Sequence, residues 1–137
     1  MTDRLRIVRM VEEEVGTPRN DGARGSALYS VPFELSGTPS MEWSDAFVAS
    51  WNNPQSFTTS HRPGIACVRG RRVVLERTTI EEVEHTHKAT LQQAVDAANE
   101  YVEALEIERA NKDEQDRLRA EAHRQRVKEA ATRIKFD

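Results

Sequence analysis

Beyond Gly70 the chain has neither glycine nor proline, so nothing that ordinarily stops a helix stands between Thr78 or Thr79, either of which can cap one, and Asp137. Glu81 and Glu82 fall where a first helical turn favours acids. At about 100° per residue, Ile80, Val83, His87, Leu91, Ala94, Val95, Ala98, Tyr101, Val102 and Leu105 form one stripe broad enough to cover a sheet. The stripe then fails, because Arg109, Lys112, Asp116 and Arg119 take the same azimuth. A long helix is expected, packed to about residue 108 and solvated beyond it.

The surface that this helix covers must come from the first half of the chain. Residues 27–35 alternate, with Tyr29, Val31, Phe33 and Leu35 on one side, while Pro32 cannot donate to a ladder and so predicts an edge strand or one carrying a bulge. Residues 4–15 fit period 2, with Leu5, Ile7, Val11 and Val15 together, and also fit helical spacing. The acids Glu12, Glu13 and Glu14 would sit at the wrong end of a helix dipole, which favours a strand. Residues 16–25 are dense in turn formers. Ser40 is a candidate N-cap before Trp43, Phe47 and Trp51, spaced by four as the core anchors of a helix that Asn52, Asn53 and Pro54 end. Residues 54–63 read as a loop. Residues 65–68 and 73–75 read as strands joined by a tight turn with glycine at position 70. The order β-β-α-β-β-α predicts an α+β fold: a small antiparallel sheet of about four strands, with a long C-terminal helix extending beyond the core.

Charge divides the chain further. The total is -3, from 20 Lys+Arg against 23 Asp+Glu. Residues 1–77 hold ten arginines and nine acids (+1), residues 78–108 one lysine and eight acids (-7), and residues 109–137 nine bases and six acids (+3). Beyond residue 108 the only Leu, Ile, Val or Phe are Leu118, Val127, Ile134 and Phe136. The expected organisation is a core domain over 1–108 and a charged helical tail over 109–137. No apolar run approaches the ~18 residues of a spanning helix, and the first residues carry charges where a signal peptide is apolar. A cytoplasmic chain without membrane contact is expected. Its one cysteine, Cys67, allows neither an internal disulfide nor a zinc ribbon.

Each chemical signal competes with a plainer explanation. Arg69, Arg71 and Arg72 in the hairpin, with Arg62 before it, present forks suited to phosphates, yet charged residues also keep a turn and a sheet edge soluble. His85 and His87 point about 200° apart on a helix and cannot share an ion, so no metal site is expected; His87 fits the apolar face and His85 the solvent. Cys67 needs a base such as His61 beside it to act as a nucleophile, and alternation makes it equally good as a small core residue. Phosphate-binding glycine loops, the Gly-x-Ser-x-Gly elbow and His-Glu-x-x-His are absent, which argues against an enzyme, and no cofactor is expected.

Two function classes remain. The favoured one is a protein-interaction module that docks a partner or a second copy of itself through the long helix, with Leu118, Val127, Ile134 and Phe136 as the candidate contacts. The other is nucleic-acid binding through Arg62, Arg69, Arg71, Arg72 and the basic tail, which the overall acidity of the chain disfavours. The opposite charges of the two helix halves favour antiparallel self-association, while screening leaves the affinity to apolar burial.

Overall fold

The computed structural model describes residues 4–54 and 61–136, so part of the expected 54–63 loop lies outside the described residues. Strands β1 (Ile7–Met10) and β2 (Tyr29–Leu35) precede helix α1 (Met41–Asn52), and β3 (Ala66–Arg69) and β4 (Arg72–Thr78) follow it. Helical backbone then runs through α2 (Ile80–Glu82), a π-helical turn (Val83–His87) and α3 (Lys88–Arg133). The strands form one antiparallel sheet in the order β1-β2-β4-β3. The α+β expectation holds in both element order and sheet type. Two compact units divide the chain, Met1–Val102 and Glu103–Asp137.

The register sorts the sheet into two faces. Val31 pairs with Leu75 and Phe33 with Val73, so these four share the face that packs on Trp43, Phe47 and Trp51 of α1 and on Val83, Leu91, Ala94, Val95 and Ala98. Ser40 caps α1 as expected, its Oγ accepting a 3.1 Å hydrogen bond from Trp43 N–H, and Thr79 does the same for Glu82 N–H at 3.1 Å. The Ile80 N–H donates to Tyr29 Oη at 3.0 Å, satisfying another of the helix's orphan donors. Arg69 pairs with Arg72 across a two-residue turn in which Gly70 alone has positive φ, the pattern of a type II′ turn.

Several expectations need correction. Strand β1 covers only Ile7–Met10, because Glu12–Glu14 form a 3-10 turn. Strand β2 is internal, which answers the edge-or-bulge alternative: the register breaks between Tyr29 and Val31. Pro32 is tolerated there because its carbonyl accepts from Val11 N–H at 2.9 Å, so its missing N–H faces the β1 side just where β1 ends. On the long helix, Ile80 and Tyr101 are exposed although the stripe includes them. The π turn is the local cause at Ile80, since its wider winding shifts the azimuth of the residue before it, while Val83 and His87 stay on the core and Glu84 and His85 face outward as expected.

Candidate functional site

The hairpin arginines do not form an open basic patch. Arg69 and Arg72 share the outer sheet face with Arg9, Glu34 and Glu76, where acids and bases meet across the strands. Arg72 reaches Glu14 at 2.8 Å and Glu34 at 3.8 Å, Arg9 reaches Glu34 at 3.4 Å and Glu13 at 2.9 Å, and Arg69 pairs with Glu76. Hydrogen bonding to Arg9 holds the Glu13 carboxyl at about 2, and Arg72 lowers Glu14 in the same way. Arg71 donates to the Ser36 carbonyl at 3.3 Å. Arg62 lies elsewhere: it bonds the Arg77 carbonyl at 3.2 Å and the Glu82 carboxylate at 2.9 Å. Arg77 holds a left-handed φ of 53° at that carbonyl.

Glu82 links Arg62 to the buried His87. The His87 side chain is fully enclosed, with Nε2 3.4 Å from Glu82 Oε2 and its ring edge-on to Trp51 at 5.3 Å. His61 tilts against the same indole at 5.0 Å. Neither nitrogen of His87 has a hydrogen-bond partner among the described residues. Burial pushes its pKa down; Glu82 opposes that shift, while His61 and Arg62 add to it. Among the described residues no group of three His, Cys, Asp or Glu is arranged to hold a metal ion. The Cys67 thiol lies 3.8 Å from Glu76 Oε1, and burial followed by that carboxylate pushes its pKa up, which keeps it protonated and weakly nucleophilic.

A concavity lies where the sheet's core face runs out beneath the helix. A groove of about 760 Å³ opens between Ile7 and Met10 of β1 and the π turn, floored by Phe33, Val83 and Leu91 and rimmed by Ile80, Glu84, His85, Lys88 and Gln92. Its size suits a side-chain cluster or a small ligand, but its walls are mainly apolar and hold no paired acid and base. Sequence reasoning missed this site. Its one signal was Val83, His87 and Leu91 on the apolar stripe, and nothing in that stripe discloses the π turn beside it.

In the Glu103–Asp137 unit, α3 continues to Arg133 with Leu118 and Val127 each more than half exposed, and beyond its end Ile134 is more than half exposed and Phe136 91% exposed. Helical geometry separates these residues. Val127 and Ile134 lie seven apart and share a face with Ala131, whereas Leu118 and Val127 lie nine apart and face opposite ways. Arg117 holds this stretch locally through Glu114 at 2.7 Å and Glu121 at 3.1 Å. No helix among the described residues is long and apolar enough to cross a membrane. No family model, curated protein or solved structure matches the chain.

Proposed function

We propose that this chain is a small protein-interaction module that docks a partner or a second copy of itself through the long C-terminal helix. The observation that carries this reading is the stretch from Glu103 onward, in which Ile107, Leu118 and Val127 of the helix and Ile134 just past its end stand exposed and no described residue is buried. An isolated helix in water draws little stability from propensity and a few exposed ion pairs, and large apolar residues kept on its surface are material for an interface. The protonated thiol, the enclosed histidine and the apolar groove supply no nucleophile-and-base pair, which favours binding over catalysis.

The test is amide hydrogen exchange of the full chain across a dilution series and with the partner pool added. Protection of residues 109–133 should rise with concentration or with partner, while the core amides stay constant. Tail amides as protected at high dilution as those of Leu91 and Val95 would sink the reading.

Nucleic-acid binding is the second reading, and one observation favours it. Residues 122–136 carry five bases and one acid, all of them exposed. Against it, Arg62, Arg69 and Arg72 are each engaged by a carboxylate, so the hairpin offers phosphates little net charge.

A further inference from the structure

We propose that the arm from His61 to Gly64 is an acid-released latch, closed on Trp51 while the enclosed His87 is neutral and opened when that imidazole takes up a proton. Four hydrogen bonds pin the arm. The Trp51 Nε1–H donates to the Arg62 carbonyl at 2.9 Å, and the Gly64 N–H donates to Asn52 Oδ1 at 2.8 Å. The Arg62 guanidinium supplies the other two, to the Arg77 carbonyl at 3.2 Å and to Glu82 Oε1 at 2.9 Å.

One carboxylate serves the arm and the histidine together. Glu82 Oε2 faces His87 Nε2 at 3.4 Å, and both atoms are buried without a hydrogen bond among the described residues. While His87 is neutral, the Glu82 charge is answered by Arg62, and the arm is held. A proton on His87 sets two cations against that one carboxylate beside a fully enclosed ring, with His61 packed on the same indole. The ionisable groups facing His87 are therefore Glu82 from α2 and His61 and Arg62 from the arm. Helix α1 brings the uncharged Trp51, β4 joins through the Arg77 carbonyl, and Glu84 and His85 of the π turn face outward.

Both groups that oppose the imidazolium thus sit on the arm. The arm is also the side able to yield, since His61 and Arg62 are only partly buried and Pro63 and Gly64 are exposed, whereas Val83 and Leu91 on the helical side belong to the core. Opening lets water reach the ring and returns its pKa toward 6.5, while burial and the two arm residues hold it below that value in the closed state. The open state therefore binds the proton more tightly, so the latch is closed above about pH 6.5 and opens as pH falls below it.

Indole N–H exchange in the full chain, followed by NMR and referred to free tryptophan at each pH, tests this. Trp51 bonds the arm and Trp43 bonds Asn99, so the second indole is the internal control. Between about pH 7.5 and pH 5 the protection of Trp51 should fall by at least roughly tenfold while that of Trp43 changes less than about twofold. His87→Gln should abolish the fall, and His61→Gln should keep it because Arg62 still opposes the imidazolium. Glu82→Gln, which takes the charge from the clasp, should lower Trp51 protection already at pH 7.5 without touching Trp43; this arm decides the matter if His87→Gln does not fold. Constant Trp51 protection down to pH 5, or loss at both indoles together, overturns the latch. So does a fall that survives His87→Gln or vanishes with His61→Gln, or a Glu82→Gln chain indistinguishable from wild type.

Discussion

The indole Nε1 of Trp43 donates a 2.9 Å hydrogen bond to the carboxamide oxygen of Asn99. The same oxygen accepts from Leu5 N–H at 3.0 Å, and Asn99 Nδ2 donates to the Leu5 carbonyl at 2.8 Å. One side chain, 5% exposed, thus joins the approach to β1, the first turn of α1 and the last buried turn of α3. Asn99 is expected to be the most costly polar residue to lose. Asn99→Ala leaves a buried indole N–H and two backbone groups to find other partners, and should lower unfolding free energy by about 2–4 kcal/mol in urea denaturation. A loss under about 0.5 kcal/mol would mean that water replaces all three bonds.

Asn99 also shows where sequence reasoning stops. Trp43, Phe47 and Trp51 announce a buried helix face by their spacing, Ser40 announces its start, and Gly70 announces the hairpin, because each acts on neighbours a few residues away. Asn99 reads as a gap in the apolar stripe until Leu5 and Trp43, 94 and 56 residues away in sequence, are brought to it. The outer-face lattice is similar: Glu14 and Arg72 are 58 residues apart, and only the sheet register makes the arginine a partner of acids and not a free hairpin charge. The internal place of β2 depends on where β1 ends, which no property of Pro32 discloses.

The enclosed His87 gives stability a pH dependence of defined sign. Burial holds its folded pKa below the 6.5 of a free imidazole, so at pH below that value the unfolded chain binds more protons than the folded one. The stabilisation is complete above about pH 6.5 and declines as pH falls through that value toward the folded pKa. Unfolding midpoints measured between pH 8 and pH 5 should therefore fall on acidification, and His87→Gln should flatten the fall near pH 6.5. An identical profile in the variant would assign the dependence to other groups.

Replacing Arg69, Arg71 and Arg72 together by Ser should shift the melting temperature by no more than about 5 °C, since exposed ion pairs contribute little to stability. Heparin and duplex-DNA retention of the variant decides whether the hairpin matters for nucleic acid. Because these arginines face carboxylates or a carbonyl, retention and its salt dependence should match the wild type, with any retention carried by the basic residues of 122–136. A clear drop in the hairpin variant would restore the nucleic-acid reading.

Residues 1–108 should fold without the remainder, because no described residue beyond Asn99 is buried and the core cluster ends at the partly buried Val102. The truncated chain should keep the wild-type unfolding midpoint at low protein concentration. Trypsin acting on the dilute full chain should cut first between Arg109 and Arg126, where each arginine stands on an exposed helix, and only later at Arg4, Arg62 or Arg77. Raising the protein concentration should slow the tail cuts selectively, since docking covers the tail and leaves the core's own opening unchanged. If tail and core are cut at equal rates when dilute, the tail is held by contacts within its own chain, and the boundary near residue 108 does not mark the end of the folded domain.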